Sequence, residues 1–142
     1  MSIVYRHDQA RGTTYVLWDG IVTANEFLTH VRKLVADPRW PLEARRHLSD
    51  LRTASVEASI DEAVLKQAAD LFGVHPKIGV VRAAIVAGDA FVKAGQFERL
   101  IARYRPFVFV FNSLNPACRW LGIDREEVED TLQTLRTGAR SS

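Results

Sequence analysis

The stretch Ile78-Gly-Val-Val-Arg-Ala-Ala-Ile-Val-Ala-Gly-Asp89 decides the fold of this chain. It contains an apolar run, rich in valine and isoleucine, that stops at Gly88 and Asp89 and is followed by a helical pattern. An apolar run between turn residues is typical of a strand buried on both faces, and such strands occur mostly inside parallel sheets. The stretch therefore predicts a central strand over residues 80–87, with strand–helix units on either side.

The N-terminal part of the chain predicts a hairpin and a helix. Two β-rich runs, at residues 3–7 and 13–18, flank a turn-forming segment and indicate antiparallel strands. Thr23 and Glu26 then match a capping box, in which the threonine caps the helix and the glutamate reaches back to the Thr23 amide. Apolar residues at helical spacing follow, so a helix is expected over residues 24–36.

A weaker strand and a second helix are expected next. Residues 46–51 form the strand, which ends near Asp50. Ser59 opens a second capping box, so the helix is expected from about residue 60 to residue 73. Gly73 is expected to end this helix in a left-handed conformation, because glycine adopts positive φ angles at little cost.

The segment after the central strand predicts one more strand–helix unit. Asp89 is expected to cap a helix, and Gly95 inside that helix indicates close backbone packing. The run Phe107-Val-Phe-Val-Phe111 predicts the last strand, again buried on both faces. Its Val108 and Phe109 are therefore expected in the core.

Two helices are predicted at the C-terminal end. Asn115-Pro116 indicates a helix start, with the asparagine as cap and the proline in the first helical position. Gly122 is expected to end this short helix. Asp124 is then expected to cap a final amphipathic helix over residues 125–137.

The predicted order of elements is β-β-α-β-α-β-α-β-α-α, in a single α/β domain over residues 1–137 with a frayed tail at 138–142. A hairpin start is followed by a mostly parallel sheet of about five strands with crossover helices. Neither face of the two apolar strands has a polar row, so both faces must be covered. The last helix, a second subunit or an apolar ligand would each serve.

Composition and charge exclude several classes of protein. The chain has 142 residues, 47% of them apolar and 25% charged, which suits one ordinary globular domain. Its net charge is +2 and its arginines are scattered, so nucleic-acid binding is not predicted. A single cysteine excludes an intramolecular disulfide and a cysteine-based zinc site. No signal peptide or membrane span is recognised, so a cytoplasmic location is expected.

Four short segments, taken in order and spacing, resemble the SpoIIAA-like branch of the STAS superfamily. These segments are Trp18-Asp19-Gly20, Ser49-Asp50-Leu51-Arg52, residues 82–89 and residues 109–122. The resemblance extends over residues 3–123 and is to small stand-alone bacterial proteins related to anti-anti-sigma factors. It implies that successive strands are adjacent in the sheet, and that the fold is similar to that of Sec14-like lipid-binding domains.

The resemblance also makes Ser59 a candidate regulatory residue. In anti-anti-sigma members, a serine at the start of the second helix is phosphorylated by a partner kinase. Ser59 lies at the matching place, within Glu57-Ala-Ser-Ile-Asp61, but it lacks the acidic residue directly before it and the glycine after it. A role for Ser59 as a helix cap alone is the alternative.

A second group of candidates lies at the predicted strand ends, where parallel sheets bind ligands. Its members are Asp19, Asp50, Asp89 and Ser113. Three carboxylates meeting at one edge would suit a cation such as Mg²⁺, whereas each one alone would cap a helix or fix a turn. No glycine-rich phosphate loop accompanies them, so no metal and no cofactor is predicted.

Two functions from different classes follow, and neither is enzymatic, because no nucleophile–base or acid–base pair can be assembled. The first is a binding or regulatory module that acts through protein–protein contacts, as a homodimer or with another protein. The second is a carrier of a small hydrophobic or lipid-like ligand in an apolar pocket against the sheet. The four histidines share no ligand spacing and are assigned no role.

Overall fold

The computed structural model describes residues 2–141 and has an α/β fold built on one five-stranded sheet. The strands are β1 (Ile3–Asp8), β2 (Thr13–Val22), β3 (Arg46–Val56), β4 (Arg82–Val86) and β5 (Phe107–Phe111). They lie side by side in sequence order, with β1 antiparallel to β2 and the others parallel. The predicted hairpin start and mostly parallel sheet are confirmed.

Within residues 2–141 five α-helices connect or follow the strands. They are α1 (Ala24–Ala36), α2 (Glu62–Gly73), α3 (Phe91–Ile101), α4 (Leu114–Leu121) and α5 (Arg125–Ser141). Short 3₁₀ turns lie before β4 and at both ends of α3, at Ile78–Val80, Gly88–Ala90 and Ala102–Tyr104. The predicted order of strands and helices is therefore confirmed. None of the described helices has the length and apolar character needed to cross a membrane.

Alternating side chains along the strands form two cores, one on each face of the sheet. On one face Val16, Leu51 and Ile85 pack against α1, α2 and α3. On the other face Leu48 and Ala84 pack against α4 and α5. Helices α4 and α5 thus cover the second face of the sheet, for which the sequence left several possible covers.

The final helix carries the predicted apolar stripe. Val128 and Leu132 are fully buried, and Leu135 is partly buried against the same core. The Asp124 carboxylate accepts a hydrogen bond from the Glu127 amide at 3.2 Å, as expected for its cap. The helix continues to Ser141, through most of the segment predicted as a frayed tail, and residue 142 lies outside the described residues.

Strands β2 and β3 extend beyond their predicted ends. They reach Val22 and Val56 and remain paired to that end, after a register shift between Leu17 and Asp19. The extended segments contain polar residues of low β propensity, but their backbone N–H and C=O groups form hydrogen bonds with the parallel neighbouring strand. Asp19 and Asp50 therefore lie inside strands, which corrects their predicted place at strand ends.

Several predicted helix ends are wrong in detail. Helix α2 begins after Asp61, whose carboxylate accepts from the Val64 amide at 3.0 Å, so Ser59 is not its cap. Asp89 does not cap α3, because it lies within the Gly88–Ala90 turn and α3 begins after Ala90 with no side-chain cap bond. Sequence patterns locate a helix better than its first residue, since several polar residues in a row can each serve as cap.

The start of α4 and two glycines also differ from expectation. Ser113 is the residue preceding α4, so Asn115-Pro116 lies inside the first turn and does not begin the helix. Gly73 is the last residue of α2 with ordinary φ, and a Cβ there would collide with the Tyr104 ring. Gly95 has only the Arg99 guanidinium near its Cβ position, so no close backbone contact explains it.

Thr23 caps α1 as predicted, accepting from the Glu26 amide at 3.2 Å. The reciprocal half of that capping box is wrong, because the Glu26 carboxylate accepts a hydrogen bond from the Ser2 amide at 3.2 Å instead. Helix α1 is therefore fixed to the start of the hairpin through Glu26. Gly122 ends α4 in a left-handed conformation, with φ of 73°, as expected.

Strand β5 is an edge strand and is not buried on both faces as the sequence predicts. Phe107 and Phe109 are 56% and 47% exposed, whereas Val108 is partly buried. Phe109 is therefore not a core residue. An all-apolar run does not distinguish a central strand from an edge strand, because that difference depends on what lies beside it.

Candidate functional site

A cavity of about 100 Å³ lies between the sheet and helices α1, α2 and α3. Its wall is mostly aromatic and aliphatic, and includes Trp18, Phe27, Leu51, Phe72, Ile85 and Phe97. An apolar cavity of roughly 150 Å³ engineered into another protein stays dry and takes up benzene or xenon. The cavity here is therefore large enough for an apolar ligand of a few heavy atoms.

Small side chains keep this space open. Ala83 on β4, Ala94 on α3 and Ala90 just before α3 all belong to the wall. All three are buried, at 6–8% exposure, so larger side chains at these positions would project into the cavity and not into solvent. The cavity is thus a consequence of alanines placed between aromatic residues.

Three polar side chains form a hydrogen-bonded chain on the cavity wall. The Trp40 indole Nε1–H donates to His47 Nδ1 at 3.2 Å, and His47 Nε2 lies 3.2 Å from Ser49 Oγ. His47 and Ser49 are two residues apart on β3, which places both side chains on the face of α1, α2 and α3. All three residues line the cavity.

The direction of this chain is fixed by chemistry. An indole nitrogen only donates, so His47 Nδ1 must accept and the single proton of the neutral imidazole lies on Nε2. His47 Nε2–H therefore donates to Ser49 Oγ. Protonation of His47 would place two N–H groups head to head at Trp40, which disfavours the charged form.

Burial keeps His47 neutral. Its desolvation lowers the pKa to about 3, with smaller contributions from the nearby His30 and His7 rings. His30 also lines the cavity, and burial together with the charge of Lys33 lowers its pKa to about 4. Both imidazoles on the wall are therefore uncharged at neutral pH.

Lys93 is the one lysine, arginine, aspartate or glutamate on the described cavity wall. Its ammonium donates to the Ile60 carbonyl at 2.7 Å and to the Glu57 carbonyl at 3.1 Å. These bonds connect α3 to the loop between β3 and α2. The charge is thus engaged by backbone carbonyls, while the aliphatic stem contributes to the apolar wall.

The residues predicted to form a ligand-binding edge do not form a metal site. Asp50 is fully buried on the α4–α5 face, where Arg52 binds its carboxylate at 2.9 and 3.0 Å and Arg136 lies at 3.5 Å. Asp89 is exposed and Ser113 precedes α4 with no side-chain cap bond. Among residues 2–141 no group of three His, Cys, Asp or Glu side chains is arranged to hold a metal ion.

Ser59 lies in the exposed loop before α2. Its Oγ accepts from the Ala24 amide at 3.2 Å and donates to the Glu57 carboxylate at 2.6 Å. Ala24 is the first residue of α1, so Ser59 contacts the start of α1 and not the start of α2. Ser59 stays a candidate regulatory residue, as the resemblance implies.

The sequence analysis assigned no role to Trp40, His47 or Ser49. The spacing of His47 and Ser49 on a strand was a usable signal, because residues two apart share a face. The approach of Trp40 was not predictable, because it depends on how the loop after α1 folds back over the sheet. Small alanines on apolar strands carry no signal for a cavity either, since they are ordinary core residues.

Fold and cavity together define a class: an α/β domain with a hairpin-first mixed sheet and an apolar cavity under one layer of helices. No protein-family model matches the chain, and a search of curated proteins also finds no match. Function is therefore inferred from the cavity and from the polar groups on its wall.

Proposed function

We propose that this protein binds a small hydrophobic ligand in the cavity under α1, α2 and α3, as a carrier or as a ligand-responsive module of the STAS-like kind. The observation that carries the proposal is the cavity itself, about 100 Å³ with an apolar wall. At roughly 24 cal/mol per Å³, an empty space of that size costs about 2 kcal/mol of stability. Core voids larger than a water molecule are few in folded domains, so one this large favours a binding role.

The hydrogen-bond direction at Ser49 favours binding over hydrolysis. A serine nucleophile needs an imidazole that accepts its proton. Here the Trp40 indole occupies His47 Nδ1, so His47 donates to Ser49 and has no lone pair for the serine proton. The pair therefore orients a hydroxyl group and does not activate it.

The resemblance to the SpoIIAA-like branch supports the same proposal. That branch has a fold similar to the Sec14-like lipid-binding domains, and the hairpin-first order of adjacent strands agrees with it. Fold-level similarity suggests a class of function and no more. The apolar cavity is the feature of this chain that connects the fold resemblance to the binding of an apolar ligand.

Tryptophan fluorescence provides the test. Trp18 and Trp40 line the cavity, whereas Trp120 packs on the other face, so a Trp120→Phe variant reports on the cavity alone. Saturable changes in emission are expected when small cyclic or short-chain hydrocarbons are added. Ala94→Leu should abolish the change by filling the cavity, while Ala63→Leu, at an exposed position of the neighbouring helix α2, should leave it intact. Equal binding by both variants, or no saturable binding at all, would contradict the proposal.

A second candidate function is contact with a second copy of this chain through the exposed aromatic patch on β5. Phe107 and Phe109 are exposed there, and the Phe109 ring meets Trp120 edge-on at 5.0 Å. The Arg82 guanidinium stacks on Trp120 at 4.9 Å. Exposed aromatics together with arginine are typical of interface centres, and a patch that meets its own copy forms a symmetric dimer.

Contact through the face of β5 is favoured over pairing of its edge. The Val110 amide points away from β4 and donates to the Glu98 carboxylate at 2.8 Å, which occupies part of the free edge. Sedimentation of the wild-type protein and a Phe107→Ser, Phe109→Ser double variant tests this. A concentration-dependent dimer that the double variant abolishes is expected, and a wild-type monomer at high concentration would eliminate this candidate.

A further inference from the structure

The hydrogen-bonded chain on the cavity wall determines which group it offers to a ligand. Ser49 Oγ accepts the Nε2 proton of His47, because the Trp40 indole holds the opposite nitrogen as an acceptor. A serine hydroxyl has one proton to donate and two lone pairs. Among the residues that the structure describes, none accepts the Ser49 hydroxyl proton. Ser49 lines the cavity, so a hydrogen-bond donor faces the ligand space.

The electrostatics of the wall restrict the charge of a ligand. His30 and His47 are neutral, and the Lys93 ammonium is bound by two carbonyl oxygens. A carboxylate bound at Ser49 would find no cation among the hydrogen-bond partners that the structure gives this serine, and burying an ionised carboxylate among apolar side chains without a cationic partner is strongly unfavourable. An uncharged ligand avoids that cost, and a neutral acceptor still satisfies the Ser49 hydroxyl.

We propose that the ligand is an uncharged, mostly apolar molecule with one hydrogen-bond acceptor, such as a ketone or ester carbonyl, which accepts the Ser49 hydroxyl proton. This inference rests on the proposed binding function and adds the chemical class of the ligand. Trp40 and His47 act as positioning residues: they do not contact the ligand's acceptor, but they keep the serine proton directed away from His47. The cavity volume of about 100 Å³ restricts the buried part to a few heavy atoms.

The test compares three probes of one ring size: cyclopentane, cyclopentanone and cyclopentanecarboxylate. Each is titrated into the wild type, Ser49→Ala and Ser55→Ala, and its affinity is read from NMR chemical shifts. Ser55 is an exposed serine on the same strand and provides the matched control. Comparing one probe between two proteins cancels the different solubilities of the probes.

Loss of a neutral hydrogen bond is expected to weaken cyclopentanone binding roughly three- to tenfold in Ser49→Ala. Cyclopentane affinity should stay within about twofold, since Ser49 offers it only contact area, and Ser55→Ala should match the wild type for every probe. Trp40→Phe frees His47 to accept the serine proton, so it too should weaken cyclopentanone. Histidine side-chain NMR should show the Nε2–H form of His47 in the wild type and a mixture in that variant.

The outcomes separate the two proposals. If no probe binds, the binding function and the ligand class both fail. If cyclopentanone and cyclopentane bind and Ser49→Ala changes neither, the ligand class fails while the binding function stands. Tighter binding of the carboxylate than of the ketone, lost in Ser49→Ala, would overturn the uncharged class alone.

Discussion

The two faces of the sheet solve the same packing problem differently. The closed face, covered by α4 and α5, is filled by side chains such as Leu48 and Leu132 and is tied to the sheet through Asp50. The hollow face, covered by α1, α2 and α3, has three helices and larger aromatic residues but retains a cavity of about 100 Å³. The comparison teaches that the number of covering helices does not decide how completely a face is filled, because the face under three helices retains space and the face under two is filled by side chains.

Removal of α5 should have the largest effect. Truncation after Gly122 removes Val128 and Leu132, both fully buried, and exposes Leu48 and Tyr15. Each large-to-small loss in a core costs about 2–5 kcal/mol, so together they approach the roughly 5–15 kcal/mol stability of a typical domain. We expect an unfolded or aggregating protein in thermal melts monitored by circular dichroism, with increased binding of a hydrophobic dye.

Truncation after Thr137 is the control, because it leaves both buried residues in place. It should melt within a few degrees of the full chain. A protein truncated after Gly122 that remained soluble with an unchanged melting temperature would remove the distinction between the closed face and the hollow face.

Asp50→Asn should have the next largest effect. Asp50 is fully buried between Arg52 and Arg136, and Arg136 is itself only 13% exposed. Removing one partner from a buried ion pair leaves an uncompensated charge and costs about 3–5 kcal/mol. Urea denaturation measures this loss. Asp89→Asn, at an exposed aspartate, is the matched control and should change stability by less than about 0.5 kcal/mol; equal effects would show that Asp50 is not a structural link.

Two adjacent alanines on β4 compare the faces directly. Ala84 is fully buried in the closed face, so Ala84→Val should overpack it and cost roughly 1–3 kcal/mol. Ala83 lines the cavity, so Ala83→Val should be neutral or stabilising and should weaken ligand binding. Denaturation curves of both variants give the sign of each change in the free energy of unfolding. A destabilised Ala83→Val protein would mean that the hollow face has no usable space.

The hollow face should also make stability depend on pH. The pKa of His47 is about 3 in the folded protein against 6.5 in an unfolded chain, so the unfolded chain binds more protons below neutrality. The contribution of neutral His47 to the free energy of unfolding is fully present above pH 6.5 and is lost as the pH falls toward 3. Between pH 7 and pH 5 this loss is roughly 1–2 kcal/mol. Urea denaturation at both values measures the loss. His47→Gln should reduce the difference but not remove it, because the pKa of His30 is lowered as well; an unchanged difference would show that His47 is not the source.

Ser59→Ala is expected to have the smallest effect. A helix cap at this position would contribute about 1 kcal/mol. Asp61 caps α2 instead, and the Ser59 bonds to Ala24 and Glu57 are solvent-exposed, so the loss should be below about 0.5 kcal/mol. Asp61→Ala is the matched control and should show the full cost of a lost cap. A larger loss for Ser59→Ala than for Asp61→Ala would contradict the assignment of the cap.

Local patterns predicted the elements of this fold well where periodicity is strong, as in α1 and in the stripe of Val128 and Leu132 on α5. They failed where tertiary contacts decide. Strand β3 continues past Asp50 because β2 pairs with it, and Phe109 is exposed on β5, which is the edge strand of the sheet. The cavity and the approach of Trp40 to His47 depend on the whole fold, so neither could be predicted from neighbouring residues.

The hydrogen bonds of Lys93 affect how fast a ligand could exchange between the cavity and solvent. Lys93 belongs to the cavity wall, is partly exposed, and holds the Glu57 and Ile60 carbonyls. Two such bonds, at about 1 kcal/mol each, must break before α3 and this loop separate, which slows that opening roughly thirtyfold. We expect a ligand that passes between α3 and this loop to meet the same barrier on entry and on exit, so Lys93 would lengthen its residence time without changing its equilibrium affinity.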